Sequence, residues 1–103
     1  MVSRGEVYWA EHPDWGRRPA LLLTRDQAIN NLNEIFVVFA TTTIRGLPTE
    51  VELGPVDGMP RDCALNLDHT DTVGKGHLTE RITMLGLERM NEVCRALSAA
   101  TGC

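Results

Sequence analysis

The sequence predicts a mainly β protein, a small and strongly bent barrel of short strands followed by one C-terminal helix. Before residue 86, apolar residues occur in short runs or alternate with polar ones, and Gly, Pro and Asn separate these runs. From residue 87 onward they recur at helical spacing instead. With 103 residues, 43% of them hydrophobic, the chain is expected to form a single domain over residues 1–103.

The first half of the chain predicts three strands and no complete helix. The first strand is expected near residues 5–11 and the second at about 18–24, on either side of a turn-rich loop. Residues 26–33 are polar and rich in Asn, which favours a loop with one helical turn. A third strand is expected at 34–43, because a nearly continuous apolar and β-branched run is typical of a strand buried on both faces.

The second half predicts further strands and the helix. Residues 49–53 and 63–68 alternate between polar and apolar side chains, as half-exposed strands do. Residues 78–85 regain strand character after a turn at 74–76. The helix is expected to run for about 13 residues and to end near residue 101, where a Gly follows.

The composition excludes several classes of protein. The longest apolar run, residues 35–40, is too short to cross a membrane, and no signal-peptide pattern is seen, so we expect a cytoplasmic protein. Three cysteines without close spacing, Cys63, Cys94 and Cys103, are typical of buried or idle thiols rather than of disulfides or a zinc site. We expect no metal or other cofactor, and a homodimer, because so small a monomer buries little apolar surface.

The charge balance argues against a generally basic, nucleic-acid-binding surface. With 10 basic and 14 acidic side chains the formal net charge is −4, whereas affinity for nucleic acid depends mainly on phosphate neutralisation. Six of the acidic residues, however, lie between residues 46 and 72, beside a single Arg. The sequence therefore allows an acidic face that is separate from the rest of the surface.

An arginine pair, Arg17 and Arg18, lies at the start of the second predicted strand. A guanidinium keeps its charge and offers a planar fork of donors to phosphate or carboxylate oxygens, and Pro19 biases Arg18 toward an extended backbone. An anion site is one interpretation. A solvated surface pair is the other, and the spacing alone favours it.

Five segments occur in order along the chain: RGEVYWA (4–10), RPALLLT (18–24), VVFATTT (37–43), DCALNLD (62–68) and LTERI (78–82). As an ordered set they resemble the MazF/PemK toxins of bacterial toxin–antitoxin pairs. The resemblance implies an SH3-like barrel, a homodimer, and a metal-independent endoribonuclease that cuts single-stranded RNA at short sequences through the 2′-hydroxyl. It also implies a cognate MazE-like antitoxin, while mRNA, tRNA and rRNA all remain open as targets.

The same resemblance implies the catalytic pair Arg18 and Thr43. Arg18 would stabilise charge on the phosphate and Thr43 would orient the 2′-hydroxyl or the phosphate. Further RNA contacts are expected from Arg17 and Arg45 as secondary phosphate contacts, Trp15 as a stacking surface for a base or for the antitoxin, Thr42 and His12. The remaining histidines, His69 and His77, flank the predicted turn and are expected to be surface side chains.

The chain also departs from the family pattern. Cys63 replaces a frequent Ser, Asp71 falls where many relatives carry a basic residue, and the loop at 44–48 is short. Asp68 and Asp71 either face away from the RNA, accept hydrogen bonds from base amino groups, or alter the substrate preference.

Two other functions stay open. A non-catalytic toxin that binds DNA gyrase, of the CcdB type, would use the same barrel without the Arg18 and Thr43 pair. The C-terminal residues 98–103 lack an aromatic anchor, which disfavours it. A barrel that only binds a peptide would leave both arginines dispensable.

Overall fold

The computed structural model describes residues 2–103 and contains, within that range, six strands, two α-helices and two short 3₁₀ helices. All paired strands are antiparallel and form one sheet in the order β4-β5-β3-β2-β1-β6. This architecture confirms the predicted mainly β fold with a C-terminal helix. The elements are β1 (Glu6–His12), β2 (Gly16–Leu22), α1 (Asp26–Ile29), β3 (Glu34–Thr41), β4 (Glu50–Leu53), β5 (Cys63–Gly74), β6 (Leu78–Met84) and α2 (Leu87–Thr101).

Apolar side chains cover both faces of the central strands. On one face, Leu21 and Val38 belong to a cluster that includes Val93 of α2. On the other face, Leu22 and Val37 pack with residues that include Ile29 of α1. Because successive residues of β2 and β3 enter different clusters, these strands are buried on both sides, as their continuous apolar runs predicted.

Strand β5 is longer than the sequence predicted. It has 12 residues and continues through residues 69–74, where it pairs with β3, for example Asp71 with Val37. Polar residues form a strand here because β3 supplies backbone partners, and tertiary pairing overrides weak β propensity. His69 therefore lies inside a strand, and its predicted place beside a turn is wrong. The other strands begin and end within two residues of their predicted limits.

The pairing of β3 with β5 contains a large bulge. Val38 pairs with Thr70 and Ala40 pairs with Leu65, so four residues of β5, residues 66–69, lie opposite Phe39 alone. A bulge interrupts the regular alternation of side chains and bends the strand. It determines which β5 side chains reach the site described below.

Helix α2 is linked to the sheet region by an ion pair. Arg89 donates from Nε to Asp57 Oδ1 over 3.0 Å and from a second guanidinium nitrogen to Oδ2 over 3.3 Å. Burial raises the pKa of Asp57, but the hydrogen bonds from Arg89 and from the Gly54 backbone N–H outweigh it, so the pKa is lowered. The helix ends at Gly102, whose φ is +76°. Within residues 2–103, no helix is long and apolar enough to span a membrane.

Replacing Asp57 with Asn should lower the free energy of unfolding by about 1–3 kcal/mol at pH 7, because Arg89 loses its charged partner. Since the folded state depresses the pKa of Asp57, its contribution is present above the unfolded pKa of about 4 and is lost as the pH falls through the lower, folded value. The difference between wild type and variant should therefore shrink in acid. Urea unfolding between pH 3 and pH 7 measures it, with Asp62→Asn as control. A difference that does not change with pH would contradict the assignment.

Candidate functional site

Two adjoining cavities meet at Arg18 and Thr41, which line both. The first, here called the Asn66 cavity, has a volume of about 630 Å³. The second, the Trp9 cavity, has a volume of about 600 Å³. The Asn66 cavity is lined by Trp15, Arg18, Phe39, Thr41, Thr43, Arg45, Asn66, Asp68, His69, Thr70 and Asp71. The Trp9 cavity is lined by Trp9, Arg17, Arg18, Pro19, Ala40, Thr41, Thr42, Met59, Pro60, Arg61 and Cys63.

Arg18 is half-buried between the two cavities. Its guanidinium carbon lies 4.7 Å from the centroid of the Phe39 ring, a cation–π contact that holds the side chain in place. Among residues 2–103, no carboxylate lies within ion-pair distance of Arg18, and its side chain donates no hydrogen bond. Its planar fork of donors is therefore available to an anion.

Arg17 directly precedes Arg18 in β2, but its side chain has a different environment from that of Arg18. Its guanidinium lies 4.0 Å from the Trp9 ring and forms ion pairs with Glu11 at 3.4 Å and Glu80 at 3.5 Å. The hydrogen bond from the Thr79 hydroxyl lowers the pKa of Glu11, and the hydrogen bond and charge of Arg17 lower it further. This carboxylate therefore stays ionised. The positive charge of Arg17 is thus largely offset, and Arg17 lines the Trp9 cavity rather than the Asn66 cavity.

Thr43 and Arg45 reach the Asn66 cavity from the loop that follows β3. The Thr43 backbone N–H donates to Thr41 Oγ1 over 3.1 Å, and the Thr43 hydroxyl has no hydrogen-bond partner within residues 2–103. Glu50 of β4 holds the loop, because its Oε1 accepts from the backbone N–H groups of Arg45 at 3.0 Å and Gly46 at 2.9 Å, with Leu47 at 3.4 Å. Gly46 has a φ of +69°, which favours Gly at this turn.

The aromatic side chains contact one another in a series that ends at Arg18. The rings of Trp15 and Phe39 are tilted, with centroids 5.2 Å apart, and Trp15 stacks on His12 at 5.3 Å. His12 also contacts the ring of His77 at 4.8 Å. Trp15 lines the Asn66 cavity, whereas His12 and Thr42 do not. Of the residues predicted from the sequence, the structure brings four into this cavity: Trp15, Arg18, Thr43 and Arg45.

Strand β5 contributes a wall of the cavity, of which the sequence indicated only Asp68 and Asp71. Asn66, His69 and Thr70 line the Asn66 cavity together with Asp68 and Asp71. The interpretation in which these two carboxylates face away from the arginine is therefore wrong. No sequence signal reveals that Asn66 and His69 belong to this wall, because their side chains are aimed by the bulge opposite Phe39.

The three cysteines are free thiols. Cys94 and Cys103 are exposed, and Cys63 is buried against the Trp9 cavity. Burial raises the pKa of the Cys63 thiol, and the charges of Asp57 and Asp62 raise it further. Cys63 therefore stays protonated near neutral pH and is a poor nucleophile.

Comparison with known proteins gives a consistent result. The model of the family described as PemK-like, MazF-like toxin of type II toxin–antitoxin system matches residues 3–101. The chain is 45% identical over 104 residues to the Mycobacterium tuberculosis protein named probable endoribonuclease MazF5, covering 100% of this chain and 95% of that protein. It is 42% identical to probable endoribonuclease MazF2 of the same species, covering 99% and 100%.

Solved structures agree with the sequence comparison. A mycobacterial endoribonuclease in complex with its cognate antitoxin superimposes with a TM-score of 0.89 and 29% identity, over 99% of this chain and 96% of that chain. The Mycobacterium tuberculosis toxin MazF-mt6 superimposes with a TM-score of 0.86 and 29% identity, over 94% and 96%.

Replacing Glu50 with Ala removes the acceptor that holds the loop, so the amides of residues 45–47 should exchange with solvent about 10–100-fold faster. Amide hydrogen exchange followed by NMR measures this rate. Glu52→Ala removes an exposed carboxylate from the same strand and should leave these amides unchanged. Equal rates in Glu50→Ala and wild type would mean that other contacts hold the loop.

Proposed function

Since this chain belongs to the PemK-like, MazF-like family of toxins of type II toxin–antitoxin systems, and is an endoribonuclease like its relatives, we propose that it cleaves RNA by a metal-independent attack of the 2′-hydroxyl on the adjacent phosphate. Cleavage of mRNA, tRNA or rRNA at short single-stranded sequences would inhibit translation and growth. The observation that supports this mechanism most directly is the guanidinium of Arg18, which is fixed on Phe39 and paired with no carboxylate in the described chain.

The reaction requires three events at one phosphate. The 2′-oxygen loses its proton and forms a bond to phosphorus, negative charge builds up on the non-bridging oxygens, and the bond to the 5′-oxygen breaks as that oxygen gains a proton. The products are a 2′,3′-cyclic phosphate and a 5′-hydroxyl. Arg18 supplies charge stabilisation, because its parallel N–H donors match two phosphate oxygens. The imidazole of His69, which lines the same cavity, can accept the proton of the 2′-hydroxyl, and the imidazolium so formed can donate a proton to the departing 5′-oxygen.

Thr43 has the complementary role of positioning the nucleophile. Its hydroxyl has no partner within residues 2–103 and opens into the cavity that contains Arg18. It can orient the 2′-hydroxyl or one phosphate oxygen. Arg45, Arg17, Thr42 and His12 lie around this pair, and we assign them to flanking parts of the RNA.

The alternative of a CcdB-like toxin that binds DNA gyrase is not favoured. The matching family is PemK-like and MazF-like, and the relatives are named endoribonucleases. A gyrase-binding toxin also gives no reason for a guanidinium without a carboxylate partner inside a cavity.

We propose that residues 1–103 form one toxin domain, that it works as a homodimer in the cytoplasm, and that a MazE-like antitoxin inhibits it. Ile44 and Leu47 on the loop after β3, and Leu87 at the start of α2, are large apolar side chains exposed in the monomer. A second copy or the antitoxin would cover such surface.

Replacing Arg18 with Ala, or Thr43 with Ala, should raise the barrier by about 2–4 kcal/mol, or roughly 30- to 1,000-fold in kcat, because each acts on the reacting atoms. The assay incubates purified protein with a mixed RNA pool in chelator and maps the cut ends, which should carry 5′-hydroxyl groups. Arg25→Ala, at an exposed position outside both cavities, serves as the control and should cut at the wild-type rate. Undiminished cleavage by both site variants would place the active site elsewhere.

An acidic, extended segment of the antitoxin should cover Arg18 and Trp15, because carboxylates can occupy the anion site. In the complex, the fluorescence of Trp15, isolated in a Trp9→Phe variant, should become protected from acrylamide quenching. Arg18→Ala should weaken antitoxin binding by at least about 10-fold, the loss expected for one charge-assisted contact. Full inhibition without protection of Trp15 would show that the antitoxin acts at another surface.

A further inference from the structure

One wall of the Asn66 cavity is formed by residues of β5 that lie in the bulge or directly after it. Residues 66–69 lie opposite Phe39 alone, so they do not follow the regular alternation of a strand. Asn66, Asp68 and His69 all line the cavity as a result. Bulges beside active sites commonly aim side chains in this way.

Asn66 is a buried residue, and within the described chain only the oxygen of its side-chain amide makes a hydrogen bond. Its side chain is part of a residue that is only 7% exposed. Its Oδ1 accepts the backbone N–H of Asp68 over 3.0 Å, which fixes the orientation of the amide. Its Nδ2 has no hydrogen-bond partner within residues 2–103. A ligand that covers this nitrogen must accept a hydrogen bond from it, because the ligand would otherwise bury an unsatisfied donor.

The two carboxylates of the wall keep free acceptor positions. Asp68 Oδ2 accepts the Thr49 hydroxyl over 2.7 Å, and Asp71 Oδ1 accepts the Thr72 backbone N–H over 2.8 Å. Within residues 2–103, neither carboxylate forms an ion pair. Ionised carboxylates only accept hydrogen bonds and repel phosphate. This wall therefore suits a group that carries N–H donors, while Arg18 and Arg45 suit the phosphate.

We propose that this wall is a nucleobase subsite that accepts adenine, cytosine or guanine and excludes uracil, with Asn66 and Asp71 as the specificity-determining residues. Each of the three accepted bases carries an exocyclic amino group for a carboxylate and an acceptor atom for the Asn66 amide. Uracil offers a single ring N–H between two carbonyl oxygens, which the carboxylates repel. The inference rests on the proposed function, because it assumes that Arg18 holds the phosphate next to this base.

The test is cleavage of a randomised RNA library in chelator, with every cut site sequenced. For the wild type, uridine should be depleted about 10- to 100-fold at one position close to the cut, the discrimination typical of one base contact. Asp71→Asn should restore uridine there to within about threefold of the other bases, because the amide can donate to a carbonyl oxygen. Asp62→Asn makes the same charge change at an exposed position outside both cavities and should keep the wild-type preference.

Cleavage that tolerates uridine at every position near the cut would overturn the subsite while leaving the nuclease intact. So would an Asp71→Asn variant that changes only the overall rate. If the wild type cuts no RNA, the proposed function fails, and NMR then tests the subsite alone. The Asn66 side-chain amide signals should shift on titration with AMP, CMP or GMP, and not with UMP. Equal shifts with all four nucleotides, or with none, would refute the subsite.

Discussion

The candidate site depends on Phe39. Its ring supports the guanidinium of Arg18 at 4.7 Å and contacts the ring of Trp15 at 5.2 Å. It is also the single residue of β3 that lies opposite the bulge of β5 at residues 66–69. One half-buried aromatic side chain therefore fixes the cation, the neighbouring indole and the acidic wall relative to one another. Because β2, β3 and β5 are adjacent strands of one sheet, this arrangement exists before any ligand binds.

The two neighbouring arginines differ in whether carboxylates offset their positive charge. Arg17 shares its charge with Glu11 and Glu80, whereas Arg18 has no such partner in the described chain. The protein is acidic overall, with a formal net charge of −4, and the guanidinium of Arg18 places a positive charge inside the cavity without a carboxylate partner in the described chain to offset it. The carboxylates of β5 line the same cavity, and in the proposed complex with RNA they favour one orientation of the nucleotide, with its phosphate toward Arg18 and its base toward β5.

The sequence predicted most of the fold and half of the site. Alternation, turn residues and the change to helical spacing located the strands and α2, since these patterns report local burial. The continuation of β5 through polar residues 69–74 could not be predicted, because it depends on pairing with β3 across the sheet. For the same reason the positions of Asn66 and His69 in the cavity were not visible. Arg18 and Thr43, which the family resemblance indicated, share one cavity, and their catalytic roles stay predictions.

A crystal structure with an RNA whose 2′-hydroxyl is replaced by hydrogen at the cleavage site tests the central claim most directly, because the substrate then binds without reacting. We expect the scissile phosphate within hydrogen-bond distance of the Arg18 guanidinium, about 2.7–3.2 Å, with the guanidinium still resting on Phe39. A scissile phosphate bound beside Arg17 and Trp9 instead, or an Arg18 that forms an ion pair with Asp68 or Asp71 in the complex, would contradict the account.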